Sequence, residues 1–514
     1  MPDASIRIVF IQPPGLMALD SYSAITQPPL GIAYLAAYAR QCGHQVSVID
    51  AVGAAVTKLR PWPQREKRLL QGLSSEEIIA RIPTDIEVIA VSAMFTHAWP
   101  MVRELLRAIA QARPRARIIA GGEHVTALPE AVLRDSPVTV CVLGEGELTL
   151  AELLAACAAG QKDLSQVAGI AWRDASGRII VNPRRRRIVN VDSLPYPAWD
   201  LIDPMRYEAS SVFMGPKGGR SLPMLATRGC PYRCTFCASA AMWTQLWRPR
   251  DPGRVVDEMQ QYVQRYGVDD FQFQDLTAIV RKDWIVAFCR ELQARGLRIR
   301  WSLPVGTRAE AIDREVADLL LATGCAHITY APESASPRIL AAIEKKVRLD
   351  HMERSIRDSL DAGLVVCLFM IIGFPQEEPQ DIQTTRRWLR RMARLGVHEV
   401  AVSTFVPLPG TKLFEDIDRA SPLVIDDEYC YWMTGTTSLT NVRSWNPRWT
   451  GRALLRLKLV AMLEFFLISY LCHPARFWRL LANALSGRQE TKVDRVLREF
   501  AIKLGAWSRR SGRS

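Results

Sequence analysis

The stretch RGCPYRCTFCAS, residues 228 to 239, brings Cys230, Cys234 and Cys237 within eight residues and offers no fourth thiol nearby. Three protein ligands make an incomplete cage, so the chemistry lies in what fills the vacant position. A structural zinc site takes four side-chain ligands at tetrahedral positions, and with seven histidines in the chain a fourth ligand is scarce. Three thiolates suit a four-iron, four-sulfur cluster with one iron left open. A non-catalytic zinc or iron–sulfur binding protein is the other reading of the same residues.

The elements that must position these cysteines follow from length and periodicity. A chain of 514 residues is too long for one simple core, and 48% hydrophobic with 23% charged residues excludes a largely disordered one. From residue 6 to about 160, the apolar runs IRIVFI, QVSVID, EVIAVSAM, RIIAGG and VTVCVLG read as strands between helical patterns such as AWPMVRELLRAIAQA. This is an α/β, doubly wound, parallel-sheet (Rossmann-like) domain over 1–160, whose ligand sits beyond the carboxyl ends of the strands. QPPG with Gln12 and Pro13, Ser92, GGEH with Gly121, Gly122 and His124, and GEGE with Gly144, Glu145 and Gly146 gather on that rim. Taken singly, the glycines also fit tight turns and His124 a surface loop.

Residues 161–215 read as a connector with a hairpin turning at Ala175 to Gly177. Over 216–415 six strand–helix units follow, LPMLATRG, FQFQD, IRWSLPVGTR, HITYAPES, VVCLFMIIGFP and EVAVSTFVPLPG supplying the strands. They predict a partial (β/α)6, TIM-like barrel with its site at the carboxyl-terminal mouth, where the three cysteines follow the first strand. A helical C-terminal region, 416–514, completes the chain.

The C-x3-C-x2-C spacing, the aromatic residue before the last cysteine and the strand–helix pattern behind it resemble the radical S-adenosylmethionine superfamily. The resemblance implies a [4Fe-4S] cluster on Cys230, Cys234 and Cys237 whose open iron binds the amino and carboxylate groups of S-adenosylmethionine, one electron then cleaving the sulfonium to a 5′-deoxyadenosyl radical. It carries over to the nucleoside at Phe236, Arg308, Glu333 and Ser334 in YAPESAS, Gly373 to Pro375 in GFP, and Asp275, where the family often shows two acids and this chain has Gln274 before the one. The order of a doubly wound domain, a connector and the cluster barrel resembles the cobalamin-binding subgroup over residues 6 to 415. Cobalamin is then expected on the rim formed by Gln12, Pro13, Ser92, Gly121, Gly122, His124, Gly144, Glu145 and Gly146. No D-x-H-x-x-G sequence is present, so no histidine of that motif would ligate its lower face. The implied activity is methylation of an unactivated carbon of a hydrophobic small molecule, with flavodoxin or ferredoxin as electron donor. A radical oxidation or ring closure, as in anaerobic magnesium-protoporphyrin monomethyl ester cyclases, is the rival.

The net charge of +13 does not form an aromatic-interleaved basic stripe, which argues against nucleic acid. Arg184 to Arg187 read as a solvated linker run. From Arg476 to Ser514, ten Lys or Arg face three Asp or Glu, a balance that suits an anionic lipid surface. The apolar run Leu459 to Cys472, broken by Glu464, is shorter than the roughly 20 residues a membrane span takes. It is expected either to pack on the barrel or to lie in an interface, with Phe465, Phe466, Leu467, Tyr470, Phe477 and Trp478 in lipid and Arg476 and Arg479 at headgroups. MPDASIRIVFIQPPG lacks the features of a secretory signal, and singly scattered cysteines suit a reducing compartment. Both point to the cytoplasm, peripherally at the inner face of the membrane if the tail docks.

Overall fold

The computed structural model describes residues 5–22, 26–209 and 215–511, with side chains through residue 503. The polar lead at 1–4, the end of the connector at 210–214 and the last three residues of the basic tail lie outside the described residues.

The first strand shows why the amino-terminal sheet forms. In β1 (Arg7–Gln12), Ile8 and Phe10 enter one hydrophobic cluster while Val9 and Ile11 enter another on the opposite face. A strand covered on both faces needs this unbroken apolar run, and each such side chain contributes about 1.5–3 kcal/mol on burial. β1 lies between β2 (Gln45–Asp50) and β3 (Val88–Ser92), with β4 (Arg117–Gly121) and β5 (Val140–Val142) continuing beyond β3, all parallel. The strand order reverses at β1, so the crevice opens between the ends of β1 and β3, at Gln12 and Ser92. The hairpin of the connector, β6 (Ile170–Arg173) and β7 (Ile179–Val181), adds antiparallel to β5 and extends this sheet.

The second sheet runs in sequence order: β8 (Ser221–Met224), β9 (Asp270–Phe273), β10 (Arg300–Thr307), β11 (Cys325–Glu333), β12 (Val365–Ile372) and β13 (Glu399–Thr404). All neighbours are parallel and β8 does not pair with β13, so the barrel is partial and open. One core cluster runs from Ile8 and Phe10 through Trp199 to Leu222 and Phe271, joining the two sheets through apolar packing.

The carboxyl-terminal region closes around both. Helix α1 (Gly451–Cys472) buries the stripe Leu454, Lys458, Ala461, Phe465 and Ser469. Its Glu464 pairs with Arg386 of the barrel helix Pro379–Leu395. Phe465 is buried and Arg476 donates to the carbonyls of Val397 and Gly396, so these two residues serve packing rather than a lipid interface. Helix α2 (Pro474–Ser486) leaves Phe477, Trp478, Leu481 and Leu485 exposed, and α3 (Lys492–Ser511) follows. Among the described residues no helix is long and apolar enough to cross a membrane.

Candidate functional site

Past β8 the chain pairs Thr227 and Arg228 antiparallel with Pro249 and Arg248, then turns at Gly229. Gly229 has φ +84°, and a Cβ there would lie 2.2 Å from the Leu246 carbonyl oxygen, so this entry to the cysteine loop demands glycine. The loop is pinned through its backbone: Thr235 N–H donates to Ile343 O at 3.0 Å, Leu413 N–H to Thr235 O at 2.9 Å, and Cys237 N–H to Cys234 O at 3.1 Å. Cys230, Cys234 and Cys237 are unbridged and half-buried at the barrel mouth. Burial pushes the Cys237 thiol up to about 12 and raises Cys230 and Cys234 as well. Three desolvated thiols with raised pKa do not make a bare nucleophile; they fit ligation, where metal charge balances the thiolates.

The groups expected around S-adenosylmethionine divide into two sets. Glu333 ends β11 with φ +67°, a left-handed conformation that costs a non-glycine residue about 1–3 kcal/mol and concentrates at functional sites. Its carboxylate meets Lys345 Nζ at 3.0 Å, both side chains being buried. The Arg308 guanidinium lies 3.7 Å from the Tyr232 ring centroid and pairs with Glu310 at 2.8 Å. Arg308 Nη1 is buried without a hydrogen-bond partner among the described residues, leaving a charged donor free for a ligand carboxylate. The Phe236 ring stands edge-on to Phe374 at 5.6 Å, which holds the cysteine loop against Gly373 to Pro375. Gly373 has φ +87° and donates its N–H to Glu377, so its backbone turns sharply at the end of β12. Asp275 and Ser334 are turned elsewhere. Asp275 accepts from Ala226 N–H at 3.1 Å and from the Thr227 hydroxyl at 2.6 Å, and Ser334 Oγ accepts from Ser336 N–H at 3.1 Å. Both are buried fasteners of the loops, not groups facing a ligand.

On the opposite rim, Gln12 and Ser92 flank the crevice, and Met94 and Phe95 stand exposed after β3, Phe95 by 63%. Gly122 has φ +129° and a Cβ there would lie 2.6 Å from the Ala93 carbonyl oxygen; at Gly146 it would lie 2.9 Å from Leu35. Glycines keep this edge low while Met94 and Phe95 supply apolar surface, a platform that fits a large flat cofactor. His124 does not reach the rim surface: it is buried 4.8 Å from the Trp99 ring, with Nδ1 3.2 Å from Thr96 Oγ1, and burial pushes its pKa down to about 3. Glu145 is also committed. It pairs with Arg187 at 2.6 Å and Arg228 at 3.4 Å, while Glu147 takes Arg228 at 2.7 Å.

This network corrects the reading of Arg184 to Arg187 as a solvated run at Arg187, which is only 9% exposed, while Arg184 and Arg186 are exposed as that reading expects. A guanidinium can be buried once a carboxylate from another element meets it, and sequence spacing does not reveal a partner 42 residues away. Lys345 and Glu147 were missed for the same reason. Tyr232 was legible in principle, as the aromatic residue between the first two cysteines.

The B12 binding domain family matches residues 22–154 and the Radical SAM superfamily matches residues 224–389. An uncharacterised methyltransferase of Pyrococcus horikoshii is 28% identical over 80% of this chain and 83% of its own. The cytidylyl-2-hydroxyethylphosphonate methyltransferase of Streptomyces wedmorensis is 27% identical over 84% of each chain. The anaerobic magnesium-protoporphyrin IX monomethyl ester cyclase of Rubrivivax gelatinosus is 26% identical over 80% of this chain and 70% of its own. Among solved structures, the radical S-adenosylmethionine methyltransferase TsrM of Kitasatospora setae, with cobalamin and a [4Fe-4S] cluster bound, superposes with a TM-score of 0.61 at 19% identity, covering 81% of this chain and 78% of that one. The chain thus joins a B12 binding domain, whose rim meets the strand end leading into the cysteine loop, to a Radical SAM domain.

Proposed function

We propose that this enzyme methylates an unactivated carbon of an organic substrate held between the two rims. The observation that carries the reading is the Glu145–Arg228–Glu147 network, which ties the rim of the cobalamin domain to the residue two before Cys230. When bound, the cofactors supply a carbon-centred hydrogen abstractor on the barrel side and a methyl donor on the other. The chain's part is positional. Cys230, Cys234 and Cys237 would hold the cluster, and Arg308, with the Glu333–Lys345 pair beside it, would orient the amino acid end of S-adenosylmethionine. Phe236 and the Gly373 turn would confine the adenine, while Gln12, Ser92 and the Gly121–Gly122 edge would carry the corrin. Fixing both reactive groups on one rigid framework is what makes a two-site transfer efficient. The electron would come from flavodoxin or ferredoxin.

The deciding experiment is anaerobic reconstitution followed by mass analysis of product. Gain of one CH2 supports methylation. Loss of hydrogen or gain of oxygen without CH2 supports the cyclase-like rival instead.

Peripheral membrane docking is a second proposal, favoured by the exposed Leu463, Leu467 and Leu471 on α1 and Phe477, Trp478, Leu481 and Leu485 on α2. Because α1 and α3 pack into the fold, point changes suit the test better than truncation. Flotation of full-length protein on anionic liposomes should be lost in a Trp478→Glu, Leu481→Glu variant; no flotation of the parent protein would remove lipid from the account.

A further inference from the structure

The run Arg184 to Arg187 is only partly absorbed by the rim network. Arg187 turns inward to Glu145 and Arg185 pairs with Glu152, whereas Arg184 and Arg186 stay exposed. They lie against the segment that leaves the cysteine loop. Arg184 donates to the Ala241 carbonyl, in the short helix Ser239–Trp243, and Arg187 donates to the carbonyls of Trp243 and Leu246. All four arginines line one surface recess together with Met242 and Thr244.

From the other side the loop supplies a cation of its own. Arg233, between Cys230 and Cys234, is exposed and donates to Gln245 Oε1. Thr235 N–H donates to Ile343 O at 3.0 Å, which brings the exposed Lys346 to the same loop, and Arg233 and Lys346 both act on the Glu344 carboxylate. Glu344 itself is held below its ordinary pKa chiefly by Lys412, its partner at 2.7 Å. Contacts therefore run from Arg184 through Ala241 and Gln245 to Arg233 and Lys346, along the border of the cysteine loop.

Two properties separate this strip from a solvated charge run. Arg184, Arg186, Arg233 and Lys346 make no ion pair with a described residue, because the carboxylates nearest to them are spent: Glu145 on Arg187 and Arg228, Glu152 on Arg185, Glu344 on Lys412. Their charge projects outward uncompensated. Among them stands Leu246, 43% exposed, whose carbonyl lies against Gly229, the residue before Cys230. An apolar side chain flanked by unpaired cations suits a protein partner of opposite charge, since the apolar contact gives a dry centre and the charged rim steers the approach.

Resting on the reading that the three cysteines hold a reducible cluster, we infer that this strip is the docking surface for the electron donor, a small acidic one-electron carrier protein of the flavodoxin or ferredoxin kind. Opposite charge draws the carrier to the edge of the barrel where the cysteine loop reaches solvent. There the reduced carrier loses one electron and the cluster gains it, with no bond or proton transferred. Steering of this sort raises association rates by about 10- to 1,000-fold and fades as salt is added.

The test reads docking and cluster reduction separately, on full-length protein reconstituted anaerobically. Binding of oxidised flavodoxin and of oxidised ferredoxin is followed by titration calorimetry, and reduction by each reduced carrier by stopped flow at the cluster band, at low and at high salt. In the parent at least one carrier should bind, and should reduce the cluster faster at low salt. Arg186→Glu, Arg233→Glu and Lys346→Glu together should slow that reduction by about tenfold or more and weaken binding, while photoreduction by neutral 5-deazariboflavin stays unchanged and shows the cluster in place. If the triple variant does not take up its cluster, Arg186→Gln with Lys346→Gln, two side chains with no ion pair to lose, should show the same loss in smaller degree. Equal rates and affinities in parent and variants, a rate indifferent to salt, reduction of the parent by neither carrier, or loss of flotation on anionic liposomes with carrier binding intact would overturn the assignment. Failure of the cluster reading shows instead as a parent that 5-deazariboflavin cannot reduce, and absence of a CH2 gain leaves the docking surface standing.

Discussion

Arg228 and Glu147 meet at 2.7 Å, joining the strand end that leads into the cysteine loop to the first helical residue after the GEGE turn of the cobalamin domain. Both side chains are nearly free of solvent, and the neighbouring carboxylate holds Arg228 well above its ordinary pKa range. Removing one partner strands a buried charge. Glu147→Ala should destabilise the protein by about 3 kcal/mol, checked by denaturant unfolding of the apoprotein.

Cys230, Cys234 and Cys237 are each expected to be indispensable for the cluster. Alanine at any one should abolish reductive cleavage of S-adenosylmethionine and reduce bound iron and sulfide after anaerobic reconstitution. Normal cleavage by one of the three variants would rule out the assignment of that thiol.

Glu333 stores strain at φ +67°. Removing the carboxylate strands the buried Lys345 charge in any variant, but glycine also relieves the backbone strain, so Glu333→Gly should be more stable than Glu333→Ala by about 1 kcal/mol, and both should bind S-adenosylmethionine more weakly than the parent. Unfolding curves should separate the two variants, while the binding titrations should show both weakened.

Gly122 has no room for a side chain, with the Ala93 carbonyl 2.6 Å from a Cβ. Gly122→Ala should displace the loop after β3 and lower cobalamin retention, read from the visible spectrum of gel-filtered protein after loading with hydroxocobalamin. Full retention would mean that this edge does not carry the corrin.

Glu377 is fully buried behind the Gly373 turn, and burial raises its pKa from 4.5 to about 8. The folded state therefore holds a proton that the unfolded chain has released, so the group's contribution to stability falls as pH rises from about 4.5 toward 8. Glu377→Gln should flatten that part of the stability profile, measured as denaturation midpoint against pH.

The sequence by itself determined the elements and the metal chemistry. Unbroken apolar runs such as RIVFIQ specify a strand covered on both faces, and three cysteines within one loop bring their own proximity, since covalent spacing leaves them nowhere else to be. Gly122 could be placed in a turn because backbone conformation is a local property. What only the tertiary structure decided concerns side-chain partners far apart in the chain. Glu145 and Arg187 looked like a rim residue and a solvated linker until folding brought them to 2.6 Å, and Asp275 looked like a ligand group until Ala226 and Thr227 occupied its oxygens. The last helix is the clearest case. Its pattern KVDRVLREFAIK predicts a charged outer face by periodicity, yet Lys492, Arg495, Glu499 and Lys503 point inward because the open barrel presents Glu399, Thr329 and a polar interior to receive them. Burial of charge depends on the wall it faces, and that wall is assembled from four strands whose register no local pattern encodes.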